Sequence, residues 1–221
     1  MEVKVLKSVL SANDSLAAKN QRLLDKHKIL AINLMASPGA GKTSLILQTV
    51  EQLRGKTRIA VVEGDIASNL DADKINRRGI SVVQLNTDGA CHLDANLTSN
   101  ALENLPLPEI DLLLIENVGN LVCPAEFNLG EHKKAMILSL PEGDDKPYKY
   151  PLMFTEVDAL VINKIDLLPF MDFDIPAFCK AVKGMNPKVR IFQVSCKTGE
   201  GIEEWVSWLL EETEINQGKS G

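Results

Sequence analysis

The chain has 221 residues, 45% of them apolar, which suffices for the full core of one α/β domain and asks for no second one. Its net charge of −6 argues against nucleic acid or an anionic membrane as a partner, since both select clustered Lys and Arg, and points to proteins instead. No apolar run reaches the ~18 residues a membrane span needs, and Met1-Glu2-Val3-Lys4 does not open a signal peptide, so a cytoplasmic protein is expected whose four cysteines are buried apolar residues or ligands rather than a disulfide framework.

In chain order, the segment 8–28 carries Leu16, Leu23 and Leu24 among polar residues and reads as a weakly amphipathic helix without chemistry, a lead-in to the first strand. An apolar strand follows at 29–35, then Ala36-Ser37-Pro38-Gly39-Ala40-Gly41-Lys42-Thr43, then a helical run at 44–50. Strand, Gly-rich loop and helix in this order form a P-loop. The glycines admit close approach of the backbone, and the N–H groups of Gly39, Ala40, Gly41, Lys42, Thr43 and Ser44 surround the phosphates. Lys42 reaches the β and γ phosphates, and the Thr43 hydroxyl holds Mg²⁺. Ala36 stands where the consensus begins with glycine; alanine is the smallest substitute and needs only a strand-like φ there.

Further strand-like runs fall at 58–62, 80–85, 111–115, 135–140, 159–163 and 189–194, alternating with helical segments. This predicts an α/β fold: a mainly parallel P-loop NTPase sheet with helices on both faces and ligand sites at the carboxyl ends of the strands. Asp65 follows the second run and Glu116 the fourth. A lone acid at a strand end is more often a helix cap, but beside a P-loop both become ligands for Mg²⁺ and supports for phosphoryl transfer. Gly119 is placed to offer its N–H to the γ phosphate.

Cys91-His92 follows the third strand, and Cys123 lies four residues beyond Gly119. Two thiols and an imidazole suit a soft or borderline ion such as Ni²⁺ or Zn²⁺ and leave a coordination position open. There is no CxxC pair, so spacing alone favours two buried cysteines over a metal site. The stretch 141–147 is a turn-rich insertion, and His27, His132 and Cys179 read as surface or packing residues.

Asn163-Lys164-Ile165-Asp166 directly follows a strand and selects the base. The Asp166 carboxylate accepts from guanine N1–H and its 2-amino group, whereas adenine leaves it unpaired, at about 1–3 kcal/mol per group. Ser195-Cys196-Lys197, after the last strand, resembles the loop that places a backbone N–H on guanine O6 in GTPases. The tail after residue 212 reads as frayed.

Taken together, the P-loop, Glu63-Gly64-Asp65, Cys91-His92, the run from Glu116 to Phe127, the run 146–154, 163–169 and 195–201 resemble the HypB family of GTPases, which assist nickel insertion into NiFe hydrogenases. The resemblance implies a dimerising P-loop class shared with UreG, a homodimer linked to GTP, and a nickel or zinc site formed by Cys91, His92 and Cys123 near the subunit contact. It also implies a nickel-delivery protein and the hydrogenase large subunit as partners. Residues 1–28 lack the cysteine-rich or histidine-rich nickel store of some members, and Asn128 stands where an acid is expected in many. UreG-like chains carry a Cys-Pro-His motif that is absent here. GTP should be hydrolysed slowly to GDP, because Asn120 follows Gly119 in place of a water-orienting glutamine. Asp65 or Glu116 is left to orient water, and a loop drawn in by the γ phosphate should move Cys123 against Cys91 and His92.

Overall fold

The computed structural model describes residues 4–64, 78–87 and 89–218, with side chains described from residue 10 onward. The chain order is α1 (Lys4–His27), β1 (Leu30–Ala36), α2 (Lys42–Leu53), β2 (Ile59–Glu63), β3 (Ser81–Gln84), α3 (Ala95–Glu103), β4 (Leu112–Glu116), α4 (Cys123–Glu126), β5 (Lys133–Ser139), α5 (Lys146–Lys149), α6 (Pro151–Thr155), β6 (Ala159–Asn163), α7 (Ile175–Met185), β7 (Arg190–Gln193) and α8 (Ile202–Asn216). Among the described residues seven strands form one sheet in the order β3-β2-β4-β1-β5-β6-β7, every neighbouring pair parallel.

Parallel strands buried on both faces read as continuous apolar runs rather than as alternation, and β1, β2, β4 and β6 are buried at every position. Leu30, Ile32 and Leu34 of β1 point to one face, where Leu45, Ile46, Val50 and Leu53 of α2 meet Trp205 and Leu209 of α8. The opposite face carries two separate clusters. One joins Ala31 to Leu24 of α1 and Leu102 of α3; the other joins Met35 to Phe154 of α6 and Phe178 and Val182 of α7. Asn33 falls between Ala31 and Met35 on that second face, and its side chain is fully buried.

The expected elements hold with shifted ends. The second and fourth strands run one residue further than their apolar cores, so Glu63 and Glu116 are their last residues. They sit side by side in register, as Glu116 does with Leu34 of β1. The turn-rich insertion contains a 3₁₀ turn, Leu140–Glu142, closed by a capping box from Ser139, and then α5. The tail is not frayed from residue 212. Helix α8 continues to Asn216 because Thr213 is buried, and Gln217 Nε2 donates to Asp111 Oδ1 at 2.9 Å. Among the described residues no helix is long and apolar enough to cross a membrane.

Candidate functional site

The P-loop leaves β1 at Ala36 and enters α2 at Lys42, with Gly39 and Gly41 in the left-handed region at φ 77° and 105°. At Gly41 the need for glycine is double, since a Cβ would also run into Asn163 Nδ2. Asn163 closes the loop from behind: its Nδ2 donates to Ala40 O at 2.9 Å, and its Oδ1 accepts from Lys164 N at 2.7 Å and Cys196 N at 3.2 Å. The Ala40 side chain is thus core, and its backbone carries the contact.

Lys164, at a positive φ of 66°, sends its Nζ to Gly39 O at 2.8 Å. Asp166 Oδ1 accepts from Ser195 Oγ at 2.6 Å. Gly39, Gly41, Ser44, Asn163, Lys164, Asp166, Leu167, Cys196 and Lys197 line one open pocket of about 420 Å³. The structure therefore brings together the P-loop, the base-selecting tetrapeptide and the third loop. One detail differs from expectation: the Cys196 N–H is directed to Asn163, while Cys196 and Lys197 both line the pocket. Burial pushes the Cys196 thiol up to about 11, in keeping with a packing role beside α2.

Thr43 Oγ1 donates to Glu116 Oε1 at 3.0 Å, so a hydroxyl and a nearly buried carboxylate (6% exposed) meet at the end of β4. Hard oxygen donors on one spot beside the P-loop fit Mg²⁺. Asp65, expected there too, lies outside the described residues. Glu63 was missed by sequence reasoning: it is 1% exposed and occupies the rung next to Glu116. The signal was available, because both acids close all-apolar strands. Gly119 lies against Pro38 of the P-loop, and a Cβ there would sit 3.1 Å from Pro38 Cα.

The Cys91 and Cys123 sulfurs are 3.0 Å apart, and His92 Nδ1 is 3.5 Å from Cys91 Sγ. One ligand atom from each of Cys91, His92 and Cys123 fits within 4.8 Å of the others. The cysteines are partly or fully exposed and converge, rather than being separately buried. The His92 ring lies 3.9 Å from that of Phe127, which follows the helix begun by Cys123, so an aromatic contact holds the two ligand loops together. Partial burial lowers the His92 pKa against the opposing pull of Asp94 and Glu126, favouring the neutral imidazole that binds metal. A hydrogen bond with Cys91, then burial, raises the Cys123 thiol.

Asn120 ties the two halves. Its N–H donates to Ala36 O at 2.8 Å, its Nδ2 to Cys91 O at 3.3 Å, and its Oδ1 accepts from Val122 N at 2.8 Å. His132, expected as a packing residue, accepts from Ala31 N through Nδ1 at 3.0 Å and pairs with Asp25 through Nε2. Cys179 packs half-buried in the cluster under α7. Asn128, where an acid was expected, accepts from Gly130 N at 2.9 Å as a turn cap.

Residues 30–193 match the CobW/HypB/UreG nucleotide-binding domain. The hydrogenase maturation factor HypB of Azotobacter vinelandii is 45% identical over 207 residues, covering 94% of this chain and 68% of that protein. The hydrogenase/urease maturation factor HypB of Helicobacter pylori is 38% identical, covering 97% and 90%. A crystal structure of Helicobacter pylori HypB in complex with nickel superposes with a TM-score of 0.88 at 37% identity, over 93% of this chain and 96% of that one.

Proposed function

The chain belongs to the HypB group of the CobW/HypB/UreG family, and from that premise we propose that it is a GTP-hydrolysing metallochaperone that carries nickel toward a NiFe hydrogenase. The observation that carries this reading is the Asn120 tie, by which the loop that meets the γ phosphate also holds the backbone of a thiol ligand.

The P-loop amides and Lys42 bind the β and γ phosphates, and Lys42 stabilises charge as the phosphoryl group transfers. Asp166, oriented by Ser195, reads guanine, with the Lys164 stem across the base. Thr43 and Glu116, with Asp65, hold Mg²⁺, which when bound supplies neutralising charge to the phosphates. Asp65 or Glu116 orients water, and Glu63 adds its carboxylate to the same end of the sheet. With asparagine at position 120, hydrolysis to GDP and phosphate is slow, as suits a switch.

Nickel is the cargo, and zinc fits the same donors: two thiols and an imidazole from Cys91, His92 and Cys123, with room for a ligand from a receiving protein. The nickel complex of the Helicobacter pylori relative supports this ion class. A homodimer linked to GTP, a nickel-delivery protein and the hydrogenase large subunit complete the cycle by family likeness. A second reading, service to urease, is favoured by the name of that same relative, which joins both enzymes. A carrier that uses GTP for assembly alone would release no phosphate in a single turnover.

The test is a nickel titration of metal-free protein loaded with GDP or with a non-hydrolysable GTP analogue, following oligomeric state in the same samples. Affinities that differ between the nucleotides, with the difference lost in Cys123→Ala, support the switch. Equal affinities reduce the metal site to a structural feature.

A further inference from the structure

Resting on that coupled reading, we propose that Asn117 is the positioning residue through which nucleotide state reaches the metal ligands. Asn117 directly follows Glu116 and stands two residues before Gly119, and its N–H is fixed to Leu34 O of the P-loop strand at 3.0 Å. Its side chain is 1% exposed. Its Oδ1 accepts two backbone N–H groups at once: Val118 at 2.9 Å, which begins the phosphate loop, and Leu93 at 3.0 Å, which directly follows His92. One amide oxygen therefore serves the first peptide of the nucleotide-sensing loop and the first peptide beyond the metal-binding pair.

The amide cannot turn to suit one loop alone. Asn117 Nδ2 donates to Asn33 Oδ1 at 3.1 Å; Asn33 Nδ2 donates to Glu131 Oε1 at 3.2 Å; Glu131 Oε2 accepts from Leu129 N at 2.7 Å. Asn33, Asn117 and Glu131 are all buried, so each lost bond strands a polar group away from water. Three bonds, two accepted by Oδ1 and one donated by Nδ2, orient the Asn117 amide plane, and a shift of the Val118 peptide must be shared with Leu93. Leu93 is itself fully buried, so its displacement is transmitted along the backbone to His92 rather than absorbed by side-chain slack.

A second set of bonds joins the same segments without touching the phosphate loop. Asn13 of α1 accepts from Ala95 N at 2.9 Å and donates to Asn128 O at 2.9 Å, and Asn20 donates to Ala95 O at 2.8 Å and Leu129 O at 2.9 Å. This outer tie holds the two ligand-bearing loops together, whereas the inner tie through Asn117 also includes the nucleotide loop. The two are comparable in burial and differ in what they connect, which makes the outer one the proper control.

The experiment uses Co²⁺ as the probe, because thiolate-to-cobalt charge-transfer absorption reports the ligands directly. The full chain is titrated with GDP or a non-hydrolysable GTP analogue bound. In the wild-type protein the two cobalt affinities should differ about 5- to 150-fold, the usual span of coupling between sites. In Asn117→Ala the ratio should fall to within about twofold while the charge-transfer band and guanine-nucleotide binding persist. Asn20→Ala should keep the wild-type ratio despite a lower melting temperature. A full ratio in Asn117→Ala, or its loss in Asn20→Ala, overturns the assignment. A wild-type protein with no ratio at all overturns the coupled reading itself. Amide exchange in the wild-type protein needs no variant: protection of the Leu93 N–H should change between the two nucleotides, and an unchanged Leu93 beside a changed cobalt affinity also refutes the role of Asn117.

Discussion

The proposed guanine pocket and the proposed metal triad are built differently. The pocket is latched from below by a buried side chain, Asn163, whose three hydrogen bonds end on backbone groups of the P-loop, its own loop and the third loop. The triad is assembled at the surface by two loops whose ligands, Cys91 above all, face solvent. The first region is held by buried bonds to three backbone segments. The second rests on exposed loops, which suits the release of cargo that the proposed function requires. Fixed recognition thus sits on the core and adjustable binding on its rim, with Asn117 and Asn120 between them.

The largest effect that would break this contrast lies in the base reader. Asp166→Asn should weaken GTP by about 2–6 kcal/mol, two groups at about 1–3 kcal/mol each. It should also favour xanthosine triphosphate, whose 2-oxo group accepts from the new amide. Competition binding with both nucleotides measures it, and a variant that keeps full GTP preference would rule out Asp166 as the base reader.

The latch itself is tested by stability rather than by affinity. Asn163→Ala strands Ala40 O, Lys164 N and Cys196 N and should cost about 1–3 kcal/mol for each group that water cannot reach. At about 2–4 °C per kcal/mol the melting temperature reports it. Cys91→Ala should leave stability within about 0.5 kcal/mol, as an exposed side chain does, while abolishing tight Ni²⁺ binding. Equal stability losses in the two variants would contradict the division into a fixed and an adjustable region.

Legibility followed the same line. The nucleotide half could be read because its chemistry is local: glycines, Lys42 and Thr43 in one loop, and Asn163 to Asp166 in another, each placed by a strand end. The alternation of apolar runs likewise carried the sheet and its helices. Spacing could not decide the metal half, since Cys91 and Cys123 are brought to 3.0 Å only by the fold, in which β3 and β4, the strands that precede their loops, run parallel on either side of β2. The polar frame was harder still. Asn33 is one amide in the run Leu30–Ala36, and nothing in the neighbouring residues says that it will face Asn117 and Glu131 between two apolar clusters. Helix α1 was read as carrying no chemistry because Asn13 and Asn20 resemble any solvated helix position until α3 and the 128–130 turn are laid against them.

The smallest predicted effect belongs to the opposite end of the sheet, where β2 and β4 begin. Arg58 Nε and Nη2 donate to the two oxygens of Asp111 at 2.8 and 2.7 Å, and the guanidinium holds that carboxyl down at about 2. A carboxyl with a lowered pKa adds stability that is complete above its unfolded value near 4 and is lost as pH falls through about 2. Arg58 is exposed, so salt screens the pair and the contribution is modest. Denaturant midpoints for wild type and Asp111→Asn should therefore differ slightly at pH 6 and converge between pH about 4 and about 2. GTP and nickel affinities should be the same in both proteins, because this pair lies a full strand length from the ligand end. A change in either affinity would mean that the amino ends of β2 and β4 also communicate with the site, and that the fixed region is less rigid than its buried latch implies.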